Sequence, residues 1–139
     1  MQSVTLRSAA GRTLHADQLV PKHLASPPTI FMWLHGLASV RRSQKSDALL
    51  SLAKKWGAGY LRVDMTGHGE SDGCLDDVTV SSWVEDVQCA LRHVAAWSPR
   101  SAVAFPQVRF PAIARALSRH AAVSGLRCMF SERQRGFSR

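Results

Sequence analysis

Tyr60-Leu61-Arg62-Val63-Asp64-Met65-Thr66-Gly67-His68-Gly69-Glu70-Ser71-Asp72-Gly73 is the stretch on which the fold turns. Its first five residues are a short run of strand formers. Gly67, Gly69, Ser71, Asp72 and Gly73 crowd the end of the stretch and mark a loop. Thr79 then caps a helix, because Val80, Trp83, Val84, Val87, Ala90, Leu91, Val94 and Trp97 fall on one face at helical spacing. Glu85 and Asp86, near its start, suit the helix dipole. Strand, glycine-rich loop and amphipathic helix in that order read as one β/α unit.

The same unit occurs once more upstream. Thr29-Ile30-Phe31-Met32-Trp33-Leu34 is unbroken apolar sequence, as expected of a parallel strand covered on both faces, and it ends at His35-Gly36. Leu49, Leu52, Ala53 and Trp56 predict a helix, with Ser43 or Ser46 as its cap and Gly57 at its end. Before these lie Val4-Thr5-Leu6 and the run Leu14 to Val20, separated by Ala10-Gly11-Arg12, which predicts a hairpin. Pro21, Pro27 and Pro28 mark the loop that follows. Strands alternating with helices predict an α/β fold with a mostly parallel sheet, the hairpin at its antiparallel edge.

Charge divides the chain. It has 139 residues and a formal net charge of +8. Residues 1–97 hold 10 basic and 9 acidic side chains, whereas residues 98–139 hold 8 arginines and one acid, Glu132. The first segment is nearly neutral, so its charge names no partner. The second is an Arg-rich tail of different character. No apolar run reaches the length of a membrane span, and the N-terminus has no basic segment followed by an apolar one. Cys74, Cys89 and Cys128 are odd in number and widely spaced, which suits a reducing compartment, cytoplasm or organellar matrix.

Two motifs now stand in order: Leu34-His35-Gly36-Leu37 after the first buried strand, and Asp64 to Gly73 after the second. Together they resemble the N-terminal half of the α/β-hydrolase superfamily, in which an HG turn follows the third strand and a D-x-x-G-x-G-x-S loop follows the fourth. The match spans residues 1–97, and it is most similar to serine hydrolases of the esterase and thioesterase type. The resemblance implies a partial α/β-hydrolase fold and a small acyl ester or thioester substrate. It makes the Leu37 N–H an oxyanion donor, with His35 and Gly36 shaping the turn. Fixed N–H donors stabilise the charge that acyl transfer builds on the carbonyl oxygen.

Gly69-Glu70-Ser71-Asp72-Gly73 matches G-x-S-x-G literally, which makes Ser71 a candidate nucleophile and His68 a candidate base. A nucleophile elbow needs strand, tight turn and immediate helix, whereas here a loop precedes Gly69 and the helix waits until Thr79. The resemblance likewise places this serine in the loop. His68 reads more simply as a histidine bonding locally, and Asp64 as a residue that holds the loop. Gly67-x-Gly69 with Gly73 misses the dinucleotide spacing by one residue. No cofactor and no metal site is expected.

Residues 98–139 do not continue the pattern: no G-x-S-x-G and no triad acid or histidine follows. A helix from Pro111 to Val123 and otherwise irregular structure are expected there. Two origins compete, a genuine basic extension and a gene-model or splicing product. The chain is accordingly expected to be truncated before the nucleophile elbow and inactive, with the strand from Thr29 to Leu34 left as an unpaired edge and stability marginal. The alternative function is a non-enzymatic, hydrolase-like binding module whose basic tail contacts nucleic acid, membrane or an acidic partner.

Overall fold

The structure, a computed structural model, describes residues 1–23 and 29–97, together with the backbone of two further strands at 103–106 and 127–128. The elements are β1 (Gln2–Arg7), β2 (Thr13–Leu19), β3 (Ile30–Leu34), α1 (Gln44–Lys55), β4 (Gly59–Val63), a 3-10 turn (Leu75–Asp77), α2 (Val80–Ala95), β5 (Val103–Pro106) and β6 (Arg127–Cys128). They build one sheet in the order β1-β2-β4-β3-β5-β6. β1–β2 and β2–β4 are antiparallel, and the other three pairs are parallel.

Local chemistry accounts for the elements. Gly11 turns the hairpin at φ 79°, a conformation that costs glycine nothing. Ser43 and Thr79 each accept the N3 backbone N–H of the helix they open, while the N3 side chain, Ser46 or Ser82, accepts the cap residue's own N–H. Both are capping boxes in which serine takes the usual place of glutamate.

The unbroken apolar character of β3 follows from its two covered faces. Ile30, Met32 and Leu34 point to the α2 side, where they join Leu14, Ala16, Leu61 and Val63 against Trp83, Val87, Ala90, Leu91 and Val94. Phe31 and Trp33 point to the other side and meet Tyr60 and Ala53. With period-2 alternation and helices on both faces, no position of the strand is left for a polar residue.

Several expectations are corrected. β3 is not an edge: β5 pairs with it from Phe31↔Val103 to Leu34↔Pro106, and β6 pairs with β5 in turn. A four-residue strand ending in proline carries too little periodicity to be read from sequence. Trp56 does not lie on the buried face of α1, because the helix ends at Lys55 and Trp56 is its C-cap, 55% exposed, resting on the Phe31 ring at 5.6 Å. Glu85 and Asp86 serve tertiary contacts rather than the helix dipole. Glu85 accepts the Ala10 N–H and pairs with Arg12, while Asp86 is fully buried. The Pro111–Val123 helix, and the rest of the tail apart from β5 and β6, lie outside the described residues. Among the described residues no helix is long and apolar enough to cross a membrane.

Candidate active site

Register sets the site. Leu34 lies opposite Val63, so His35 and Asp64 leave the sheet side by side at the carboxyl ends of two parallel strands. Crevices at such strand ends are where open α/β sheets bind ligands.

The two loops hold each other through two histidines. His35 Nε2 accepts the Met65 N–H at 3.0 Å, and His68 Nε2 accepts the Ala38 N–H at 3.1 Å. An Nε2 that accepts carries no proton, so each ring is protonated on Nδ1. His35 Nδ1 then donates to the Gly36 carbonyl at 2.8 Å, and His68 Nδ1 to the Thr66 carbonyl at 3.0 Å. The rings lie 4.9 Å apart, both buried, with Trp83 against both. Burial lowers the His35 imidazole below its ordinary value of 6.5, and the neighbouring His68 adds to that.

Leu37 occupies the turn these bonds fix. Leu37 is 61% exposed, and its N–H bonds none of the described residues. Beside it lies an open apolar cavity of about 280 Å³, lined by Leu37, Leu75, Val78, Thr79, Val80 and Trp83. A backbone donor without a partner among the described residues, on a residue that lines an apolar cavity, suits a carbonyl group with an aliphatic substituent. Val80, expected in the core, is largely exposed on this wall.

Ser71 is differently placed. Its hydroxyl donates to the Asp64 carbonyl at 2.7 Å and accepts the His15 N–H at 2.8 Å. These bonds tie the loop to the end of β4 and to β2. Both nitrogens of His68 are engaged elsewhere, so the structure brings no base to Ser71 from that residue. Asp64 holds the loop through the Glu70 N–H, and more strongly it takes the backbone and guanidinium of Arg41. Asp72 accepts the Thr13 N–H at 2.7 Å.

Sequence reasoning missed a buried charge network beneath the site. Asp17, 2% exposed, receives two bonds from Arg42 and one from Arg62, with Arg41 at 3.4 Å. Burial alone would raise its carboxyl; the bonds from Arg42, Ser3 and Arg62 and the charge of Arg41 outweigh it and hold Asp17 well below the usual carboxylate range. Arg62 also reaches Ser46 and Asp47 of α1. Asp86 takes both the N–H and the hydroxyl of Thr66, at 2.7 and 2.9 Å, which docks α2 on the loop. A charged residue inside an otherwise apolar strand, such as Arg62, was the available signal.

No family model matches the chain. Over 70 residues it is 39% identical to palmitoyl-protein thioesterase ABHD10, mitochondrial, of Bos taurus, covering 50% of this chain and 22% of that protein. Among solved structures it is similar to alpha/beta hydrolase domain-containing protein 10 from mouse, with TM-score 0.67, 22% identity and coverage of 93% of this chain and 47% of that one. It is also similar to an esterase from Exiguobacterium antarcticum, with TM-score 0.70, 14% identity and coverage of 93% and 44%. The chain thus spans about a fifth of the curated relative and about half of the solved chains. The sheet order, the paired turns beyond β3 and β4, and these likenesses show that the chain has a partial α/β-hydrolase fold.

Proposed function

We propose that residues 1–97 form the oxyanion and acyl-binding half of a serine hydrolase site for carboxylic esters or thioesters. The observation that carries this reading is the unengaged Leu37 N–H at the rim of the apolar cavity walled by Leu75, Val78, Val80 and Trp83. The N–H receives the carbonyl oxygen and the cavity receives the acyl chain. In the complete reaction a serine attacks the acyl carbon, a histidine takes its proton and an acid orients the histidine. Ser71 spends its hydroxyl on the Asp64 carbonyl and the His15 N–H, so it serves the loop and not the nucleophile's role. The thioesterase name of the bovine relative supports an acyl thioester as substrate, and its mitochondrial location supports an organellar matrix as compartment.

Decanoate binding to the 139-residue protein, followed by calorimetry, tests the acyl site. Binding that Val80→Asp abolishes supports it, and no binding overturns it. A fluorophosphonate probe tests the nucleophile: no labelling is expected, and labelling lost in Ser71→Ala would overturn the placement of that serine.

A further inference from the structure

The histidine pair does more than join two loops. A trans peptide is planar, so anchoring a carbonyl oxygen also fixes the N–H on the far side of the same plane. The peptide preceding Leu37 contains the Gly36 carbonyl and the Leu37 N–H. That carbonyl accepts from His35 Nδ1 at 2.8 Å and from the Ser39 N–H at 3.2 Å. The peptide following Leu37 contains the Ala38 N–H, which His68 Nε2 accepts at 3.1 Å. Each peptide plane flanking Leu37 is therefore held by a different histidine.

Ala38 adds a second observation. It stands at φ 55° and is the one described non-glycine residue in the left-handed region. Alanine has no side-chain polar group to favour that conformation, so tertiary contacts must hold it. The bond to His68 is the contact made by its N–H. His68 is itself fixed, by its Nδ1 bond to Thr66 and by packing between His35 and Trp83. Thr66 in turn is clamped by buried Asp86.

From this geometry we infer that His68 is a positioning residue for the oxyanion turn: by accepting the Ala38 N–H it holds Leu37 so that its N–H faces the apolar cavity. It moves no proton in this role. The inference rests on the acyl-site reading for its purpose, though the bond itself is independent of that reading.

The test compares His68→Gln, whose side-chain oxygen can replace Nε2 as acceptor, with His68→Phe, which keeps the ring and lacks an acceptor. In the wild-type protein, NMR should detect a coupling across the hydrogen bond between the Ala38 nitrogen and His68 Nε2. His68→Phe should shift the Leu37 amide signal, speed hydrogen exchange at Ala38 and weaken decanoate binding about tenfold, the loss expected when a donor to a charged group is misplaced. His68→Gln should restore binding and the Leu37 signal. A cooperatively folded His68→Phe protein with an unmoved Leu37 amide and wild-type decanoate affinity overturns the inference. Should His68→Phe fail to fold, absence of the wild-type coupling overturns it and its presence supports it. A wild-type protein that shows the coupling but binds no decanoate supports the positioning bond and overturns the acyl-site reading.

Discussion

Gly69 packs directly against the Asp64 carboxylate: a Cβ on Gly69 would overlap it. Gly69 also stands at φ 56°, so two separate constraints demand glycine there. Because Asp64 receives Arg41, the close approach lets the loop fold back over the end of β4 and bring His68 to Ala38.

Gly69→Ala should therefore cost more than its backbone conformation alone. Gly57 provides the comparison, since it stands at φ 61° with nothing within 4 Å of its Cβ position. Gly57→Ala should destabilise by about 1–2 kcal/mol, the left-handed cost. Gly69→Ala should lose about 3 kcal/mol or more as the Asp64 contact is displaced. Urea unfolding measures both, and equal losses would show that the carboxylate moves aside freely.

Asp17→Ala should destabilise strongly. It would leave the guanidinium groups of Arg41, Arg42 and Arg62 without the carboxylate they share, two of them buried. Breaking a buried ion network by removing one partner costs about 3–5 kcal/mol. Asp47→Ala removes an exposed partner of Arg62 and should cost less than about 1 kcal/mol. A loss for Asp17→Ala no greater than that for Asp47→Ala would contradict the network's role.

Ser71→Ala should lower stability by about 1–2 kcal/mol, because the His15 N–H loses its acceptor and the Asp64 carbonyl a donor. The urea midpoint should fall without change in slope. A midpoint equal to that of wild type would mean that the hydroxyl is not structural.

Stability should fall between pH 7.5 and 5.5. Burial lowers both His35 and His93 below 6.5 in the folded protein. Unfolded imidazoles therefore take up protons that the folded ones resist, and stability declines as pH drops below 6.5. Asp86 acts oppositely: burial raises its folded carboxyl above 3.8, so its contribution is present at acid pH and is lost as pH rises from 3.8. Asp17 adds a further acid loss below 3.8. The check is a lower urea midpoint at pH 5.5 than at 7.5; an equal or higher one would show that the histidines are solvated.

Local pattern carried most of the fold. The hairpin glycine, the caps Ser43 and Thr79 and the two-faced apolar run of β3 depend on residues a few positions apart, and their physics is complete within that window. The HG turn and the glycine-rich loop were legible as motifs for the same reason. β5 was not, because its pairing comes from β3, some seventy residues earlier.

The sequence by itself thus determined the alternating elements, the antiparallel hairpin edge and the two loops that meet at the strand ends. Only the tertiary structure decided what the polar residues in those loops do. His68 rather than solvent takes the Ala38 N–H, Ser71 binds backbone, and Asp17 gathers three arginines from β4 and the loop before α1. The bonds of His68 to Ala38, Ser71 to His15, and Arg42 and Arg62 to Asp17 join groups 25 to 56 positions apart in the chain. A buried polar group must find a partner, and which partner it finds is fixed only once packing has excluded water.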